Sequence, residues 1–385
     1  MDGSRVQEIR KRRGLSQRDL AGLSGLSLSY VRKLEQGSLP GTRVQTLRKI
    51  AIALRVPTSV LLVGRETVDD ADPVVADLWQ PVRHALEGRY PAADEPVTLG
   101  GVRDAVESSM ALFAANAYPE LATVLPPLLR DADALAGEGR AVRVLLLRMT
   151  GWVLVHLGQY EAADLALRRA LDDADDRLEV ASVARIRCWL LLHTGHLDQC
   201  WDNGVRWADE LEPRFSTATP AEFSAWGWLQ MHNSAAAMRD NRPGDADDAM
   251  KMARAAATRI GREYTYPVDF LRTFGPVTVA MKHAENMMVD DKPDKVLATA
   301  AAIGAGASRA TKNNRNRHYL DVASAHTRVR DYSQALSVMT SLRADAPEWL
   351  PKQREAHEVM RGIITRRRTL TPQMRDLADF IGLTA

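Results

Sequence analysis

The feature that most constrains the fold is a loose repetition of helix pairs between Val102 and Ala346. In each unit, apolar residues recur at three- and four-residue spacing, a turn follows, and a second amphipathic segment begins. The turns are expected at Asn116–Tyr118, Gly158–Tyr160, Gly195–Leu197, Gly244–Ala246, Asp291–Pro293 and Arg330–Tyr332. Because one helix pair cannot bury its apolar face alone, repeated pairs stack on their neighbours. The pattern therefore predicts about six stacked helix pairs.

The clearest unit spans Val144 to Ala174 and resembles a tetratricopeptide repeat, with Gly151 as the small residue of its first helix. The unit from Asn316 to Pro347 is nearly as similar. Successive turns lie 42 and then 37 residues apart, which exceeds the usual period of about 34, so the repeats are degenerate. A helix from Lys352 and a last helix from Pro372 to Phe380 are expected to cap the stack.

Stacked helix pairs rotate relative to one another and form a concave groove. Amide groups in such a groove can bind a peptide backbone, and guanidinium groups can bind carboxylates. The candidate ligand-binding residues of the first helices are Arg148, Trp152, Arg185, Trp189, His193, Gln230, Asn233, His283, Asn286, Arg315 and Asn316. Packing between helices is the alternative role for the Trp and His residues among them.

The first 63 residues contain five short helical segments with one compact core. Ser16 precedes the second segment with Asp19 three residues later, which predicts a capping box, and Ser27 precedes the third segment. The side chains expected to face the core are Val6, Ile9, Leu20, Ala21, Leu23, Tyr30, Val31, Leu34, Val44, Leu47, Ile50, Ala51, Leu54, Val60, Leu61 and Leu62. The sequence therefore predicts a small, separate helical domain.

Charge is divided unequally along the chain. Residues 1–65 contain 13 Lys or Arg and 4 Asp or Glu, whereas the remaining 320 residues contain 38 and 45. The first part therefore carries net charge +9 and the rest −7. A polyanion such as DNA is attracted to the first part and repelled by the second.

The segment from Leu15 to Gly37 is similar to the helix-turn-helix of the Xre and phage-repressor family, and the resemblance covers about 60 residues. It implies that the second helix crosses the DNA backbone and that the third enters the major groove. Gln17 is then expected to contact phosphate, while Arg32 and Lys33 are expected to read base edges. The candidate DNA-binding residues are Gln17, Ser27, Leu28, Ser29, Arg32, Lys33 and Arg43. A solvated helix face is the alternative.

The same resemblance implies two further roles in the first domain. Members of the family commonly pair an Arg of the first helix with the Glu that ends the third, and Arg10 and Glu35 occupy these positions. This pair is expected to be structural. Arg43 resembles a loop residue that approaches phosphate or the minor groove, although the preceding Leu39-Pro40-Gly41 replaces a more polar loop.

The fold class expected from these patterns is all-α. Residues 1–65 form a five-helix helix-turn-helix domain, residues 66–101 a linker, and residues 102–385 a tetratricopeptide-like α-solenoid. The linker contains the acidic stretch Asp69–Asp72 and one expected helix, Val74 to Leu86, which packs on either domain or on a second subunit.

Several classes of protein are not indicated by the sequence. It contains no phosphate-binding glycine loop, no zinc-spaced Cys or His cluster and no nucleophile turn, so neither an enzyme nor a cofactor or metal site is expected. Apolar runs are too short for a membrane helix, and the amino terminus lacks the apolar core of a secretory signal. Cys188 and Cys200 are too few for a disulfide framework. We expect a cytoplasmic protein.

The order of the two domains resembles that of peptide-sensing quorum regulators, which combine an Xre-type helix-turn-helix with tetratricopeptide repeats. This resemblance implies a homodimeric bacterial transcription regulator that binds an inverted-repeat DNA operator and a peptide or small-molecule effector. The alternative is a protein-interaction scaffold, in which the repeats recruit a protein partner and the first domain only localises it on DNA.

Overall fold

The computed structural model describes residues 3–39, 42–62, 73–91, 96–266, 272–366 and 369–383. Nearly all of these residues with regular structure are helical, and the strands among them are two antiparallel pieces, β1 (Tyr264–Thr265) and β2 (Thr273–Phe274). The predicted all-α class is confirmed. The acidic stretch Asp69–Asp72 lies outside the described residues.

Five helices form the amino-terminal domain: α1 (Gly3–Arg12), α2 (Gln17–Ser24), α3 (Leu28–Glu35), α4 (Val44–Leu54) and α5 (Ser59–Leu62). The Ser16 hydroxyl accepts a hydrogen bond from the Asp19 amide while the Asp19 carboxylate accepts one from the Ser16 amide, so the predicted capping box is present. Ser27 caps α3. Gly25 ends α2 in the left-handed region at φ 65°, where a side chain would be strained.

The core of this domain is built mainly from the apolar stripes that the sequence predicts, but Tyr30 and Val60 are only half-buried and lie outside the core cluster, and one further prediction is wrong. Leu20 is fully buried, but Leu23 is 61% exposed. The inward position one turn after Leu20 is taken by Ser24, whose hydroxyl donates to the Leu20 carbonyl oxygen at 2.6 Å. The prediction that Leu23 faces the core is therefore wrong, because the buried face of α2 runs through Leu20, Ala21 and Ser24.

Six consecutive helix pairs follow, as the sequence predicts, and each consists of a first and a second helix. The pairs are α8 (Leu99–Ala115) with α9 (Tyr118–Ala134), α10 (Arg140–His156) with α11 (Tyr160–Asp173), α12 (Arg177–Thr194) with α13 (Leu197–Glu210), α14 (Pro220–Arg239) with α15 (Pro243–Ile260), α16 (Pro276–Val289) with α17 (Pro293–Ile303), and α18 (Lys312–Arg328) with α19 (Tyr332–Asp345). The chain ends in α20 (Arg354–Ile364) and α21 (Pro372–Phe380). Among the described residues, no helix is long and apolar enough to cross a bilayer.

The turns inside the pairs share one backbone pattern. A residue with positive φ comes first, a residue with ψ between 62° and 72° comes second, and the next helix begins. Five predicted turns are confirmed. The fourth is wrong, because Asn241 takes the left-handed position at φ 59° and Pro243 begins α15, which places Gly244 inside that helix. Proline at the first helical position explains the earlier start.

The expected helix from Val74 to Leu86 is two helices, α6 (Pro73–Leu78) and α7 (Gln80–Leu86). Pro81 lacks an amide hydrogen and its ring clashes with the preceding turn, so a continuous helix is broken before it. Trp79 at the break is fully buried. The Arg83 guanidinium donates to Gln159 at 2.9 Å and the Leu86 carbonyl accepts from Arg169 at 2.8 Å. Helix α7 therefore packs on the repeat domain.

Close helix contacts depend on two glycines. A Cβ at Gly151 would lie 2.9 Å from the Leu167 side chain, which agrees with its predicted role as a small residue. A Cβ at Gly227 would lie 2.0 Å from Cζ of Phe274, a fully buried ring. The ring of Phe274 fills the space that a larger residue would need.

Gly227→Ala is therefore expected to lower the free energy of unfolding by about 1–3 kcal/mol, because the added methyl overpacks a buried site. Gly100→Ala is the matched control, since no atom outside the neighbouring residues and the backbone of the same helix lies within 4 Å of a Cβ there and alanine favours a helix. Thermal unfolding of the full chain measures both. A Gly227→Ala midpoint equal to that of Gly100→Ala would contradict this description of the packing.

Candidate DNA interface and ligand groove

Helix α3 presents a polar face to solvent. Ser29, Arg32 and Lys33 are exposed, whereas Val31 and Leu34 on the opposite face are buried. Within the described part of the chain, the structure gives the side chains of Arg32 and Lys33 no hydrogen bond or ion pair. Of the other candidates, Leu28 is half-buried and Ser27 holds the Tyr30 amide at 3.1 Å, so Ser27 serves as a helix cap. The exposed face has the size and charge for base and phosphate contacts.

The carboxyl end of α3 is held in place by a buried ion pair between Arg10 and Glu35. Nε and Nη2 of Arg10 donate to the two carboxylate oxygens of Glu35 at 2.6 and 2.9 Å, and Nη1 donates to the Leu15 carbonyl oxygen at 2.7 Å. Gln17 donates to the same carboxylate at 2.8 Å. The predicted pair is therefore present, and it joins α1, the start of α2 and the end of α3.

These contacts stabilise the ionised form of the Glu35 carboxyl. Burial raises the pKa of the Glu35 carboxyl, but the hydrogen bonds from Arg10 and Gln17 and the positive charge of Arg10 outweigh that effect, so its pKa lies below its ordinary value. The pKa of Arg10 is raised by its hydrogen bond to Glu35. Both groups remain ionised at neutral pH.

Arg43 lies at the residue before α4 and is half-exposed. Its guanidinium pairs with the Glu358 carboxylate of α20 at 2.6 Å. The residue predicted to approach DNA phosphate thus contacts a carboxylate of the repeat domain.

Three first helices of consecutive pairs carry a repeated pair of rings. Trp and His four residues apart occur on three consecutive first helices, as Trp152 with His156, Trp189 with His193, and Trp228 with His232. Their ring centroids lie 4.5, 4.9 and 5.8 Å apart. His156 also lies 4.6 Å from Trp189, which joins the first two pairs. Burial and the nearby positive charge of Arg272 hold the pKa of His156 and of His232 well below the ordinary value, so both rings are neutral.

Beside these rings is a small depression that opens to solvent. Arg185 lies 5.7 Å from the Trp228 ring centroid, and Arg272 lies 5.0 Å from it. Ser182, Ser224 and Tyr266 complete the lining. Two guanidinium groups over an indole suit a carboxylate or another anionic group attached to an apolar body.

A second small depression lies further along the solenoid and is lined mostly by polar and charged residues. Glu285 accepts hydrogen bonds from Arg239 at 2.6 Å and from Lys282 at 2.8 Å. Arg317 donates to Glu355 at 2.6 Å and to Asp321 at 3.3 Å. Burial raises the pKa of Asp321 to about 8, against the opposing effect of Arg317.

The predicted ligand-binding residues do not all reach these two depressions. Arg185 lines the first depression, the Trp189 ring centroid lies 5.5 Å from Arg272 of the same depression, and His193 is exposed. Others serve the packing between helices or lie within the helix layers. Four of them are buried: Arg148, Trp152, Gln230 and Asn316. Asn233 packs against Gly204, Asn286 donates a hydrogen bond to the Ser234 hydroxyl, and Arg315 forms an ion pair with Asp345. The charged groups near His283 are Asp247, Arg254 and Lys295.

Sequence reasoning missed several groove residues, namely His156, Trp228, His232, Arg272, Lys282, Glu285, Arg317, His318 and Asp321. The repeated four-residue spacing of Trp and His was a signal for the first three. Among the described residues, no group of His, Cys, Asp or Glu is arranged to hold a metal ion.

Comparison with known proteins supports the assignment of the amino-terminal domain as a helix-turn-helix. Residues 6–61 match the family described as Helix-turn-helix. The crystal structure of Bacillus thuringiensis PlcR in complex with the peptide PapR7 and DNA aligns with 88% of this chain and 98% of that chain, at 14% identity and a TM-score of 0.35. Comparison with the curated proteins gives no match. The amino-terminal part of the chain, residues 6–61, is a helix-turn-helix domain typical of DNA-binding regulators.

Proposed function

We propose that this protein is a homodimeric, sequence-specific transcription regulator whose repeat groove binds a short peptide or small-molecule effector that modulates operator binding. The observation that carries the proposal is the exposed polar face of α3, with Arg32 and Lys33 facing solvent on a helix anchored by the Arg10–Glu35 pair. The division of charge supports it, because the positive domain attracts DNA while the negative solenoid stays away from it.

The groove supports the second half of the proposal. An effector with a carboxylate could place that group between Arg185 and Arg272 and its apolar part on Trp228. The charged second depression around Glu285 and Arg317 could bind the polar groups at the other end of an extended molecule. This arrangement favours an amphipathic, anionic effector such as a short peptide.

A dimer is proposed because one helix-turn-helix domain covers only a few base pairs. Regulators of this type bind two half-sites separated by about one helical turn, roughly 34 Å, and a twofold protein axis then requires an inverted repeat. We expect sedimentation of the full chain to give a dimer at micromolar concentration. A monomer both free and on DNA would contradict the proposed symmetry.

The groove is tested by Arg185→Gln, which should abolish the response of operator binding to the effector. The low-mass fraction of a cell extract is expected to change the operator affinity of the wild type by about 5- to 150-fold, the range of typical coupling energies. The variant should lose this change yet keep the wild-type affinity without extract. Arg103→Gln, an exposed residue of α8, is the control.

Two outcomes would count against the groove as the sensor. The first is a variant at Arg185 that responds as the wild type does. The second is a wild type that never responds to the extract and instead co-purifies with one protein partner, a result that favours an interaction scaffold.

A further inference from the structure

The helix-turn-helix domain is seated on one edge of the solenoid, at the turns of three neighbouring helix pairs. Leu197, at the start of α13, is fully buried in the core of the amino-terminal domain. Asp240, which follows α14, accepts a hydrogen bond from the Ser59 amide at 2.7 Å through its carboxylate and one from the Thr58 amide at 3.3 Å through its carbonyl oxygen. The first turn of α5 is thereby capped by a residue of the repeat domain.

Arg48 of α4 makes the most extensive polar contact across this interface. Its Nε donates to the Met238 carbonyl oxygen at 3.0 Å, and Nη1 donates to the Val289 carbonyl oxygen at 2.9 Å. Nη2 also lies 3.3 Å from the Asp290 carboxylate, and the side chain is only 12% exposed. Met238 is near the end of α14 and Val289 ends α16, so one guanidinium group joins the carboxyl ends of two first helices from adjacent pairs.

The physical basis of this contact lies in the ends of the two helices. The last carbonyl groups of a helix have no partner within it and carry the negative end of the helix dipole. A guanidinium group has five donors in one plane on three nitrogen atoms and can therefore serve two separate helix ends at once, whereas a lysine donates from a single nitrogen atom. Lys49, the next residue, is exposed and makes no such contact.

The same two helices are also joined inside the groove. Arg239 follows Met238 on α14 and donates to Glu285 of α16 at 2.6 Å. Glu285 lies one turn before Val289 and lines the second depression. Helices α14 and α16 are therefore joined by the ion pair of Arg239 with Glu285 and by the hydrogen bond from Asn286 to Ser234, and Arg48 contacts the carboxyl ends of the same two helices at the interface.

We infer that Arg48 is a positioning residue that links the orientation of the helix-turn-helix domain to the spacing of α14 and α16. If the two helices move apart, the guanidinium group cannot keep both carbonyl contacts, so the domain rotates with one helix or is released. Such a change alters the separation of the two α3 helices of a dimer without touching their DNA-reading side chains. The part of this inference that connects effector binding in the groove to the spacing of α14 and α16 rests on the proposed function.

The test is the distance between the two domains in the full chain, measured by pulsed electron spin resonance without DNA or extract. Spin labels are placed at Arg18→Cys and Arg254→Cys, which are exposed on α2 and α15, and labelled protein is diluted with unlabelled protein. Cys188 and Cys200 are fully buried, and the chain without introduced cysteines checks that they take no label. The wild type is expected to give one narrow distance distribution.

Arg48→Gln should lose the narrow distribution while the thermal midpoint of the solenoid is unchanged, and Lys49→Gln should retain it. Asp240→Ala, which removes the acceptor of the Ser59 amide from the repeat side, should broaden the distribution as well and covers the case in which Arg48→Gln fails to fold. Glu285→Gln should shift or broaden it from within the groove, whereas Glu107→Gln, exposed on α8, should not.

Each result decides one part of the inference. A wild-type distribution in both Arg48→Gln and Asp240→Ala would overturn the positioning role. A change in these two but not in Glu285→Gln would overturn the link to the groove. Because neither DNA nor effector is present, failure here is distinct from failure of the proposed function, which would appear as loss of specific DNA binding or of the extract response.

Discussion

Glu35→Ala is expected to lower the free energy of unfolding of the amino-terminal domain by about 3–5 kcal/mol, because it leaves a buried guanidinium group without its counter-charge. The side chains of Arg10 and Glu35 are 8% and 1% exposed. Gln17 loses its acceptor in the same variant. Amide hydrogen exchange of residues 3–62 in the full chain measures the loss, since it reports the stability of this domain separately from the solenoid.

The matched control is Glu8→Ala, which removes a carboxylate from the same domain. Glu8 pairs with Arg12 at the surface, where the side chains are 52% and 76% exposed, and a pair of that kind contributes little. Equal exchange rates in Glu35→Ala and Glu8→Ala would contradict the structural role of the buried pair.

The same pair gives the domain a dependence on pH. The folded pKa of Glu35 is lower than its ordinary value, so the carboxylate contributes stability above the unfolded pKa, and this contribution is lost as the pH falls through the folded pKa. The stability difference between wild type and Glu35→Ala should therefore shrink in acid and be constant near neutrality.

The second large effect is expected on the affinity of the protein for its DNA operator. Arg32→Ala and Lys33→Ala should each lower specific affinity by about 1–3 kcal/mol, or roughly 5- to 150-fold, where the side chain reads a base. Since both side chains face solvent, these variants should keep the stability of the domain. Gln17→Ala should weaken binding to all sequences alike, because Gln17 is predicted to contact phosphate and its amide also donates to Glu35 at the end of α3.

Fluorescence anisotropy with a selected operator and a scrambled duplex separates the two effects. Lys49→Ala removes one positive charge from the same domain at an exposed residue of α4 and is the control for charge alone. Specific binding that survives the double substitution of Arg32 and Lys33 would contradict the assignment of α3.

The amino-terminal domain could be predicted from the sequence because its signals are local. Ser16, Ser27 and Gly25 act on residues within one or two turns, and the apolar spacing of α3 and α4 fixes which faces are buried. Leu23 was misplaced because a helical stripe does not specify whether a leucine or a neighbouring serine takes the inner position. The break before Pro81 and the turn at Asn241 arise because a proline stands at the start of the following helix, which the spacing of apolar residues does not indicate.

The groove was harder to predict because the repeats are degenerate and a helix has several polar sides. Asn233 and Asn286 have the residue type of a peptide-binding group, yet one packs on Gly204 and the other donates to Ser234. No sequence pattern indicated which part of the repeat domain contacts the amino-terminal domain. Arg48 contacts residues about 190 and 241 positions away, and no local pattern indicates such a pairing.

The most direct test of the central claim, that α3 reads DNA as part of a dimer, is selection of bound genomic fragments by the full chain. We expect an enriched inverted repeat whose half-sites are centred about 10 base pairs, or one helical turn, apart. The same selection with Arg32→Ala and Lys33→Ala combined should lose that enrichment. No enriched sequence with the wild type, or the same inverted repeat with the double variant, would contradict the claim.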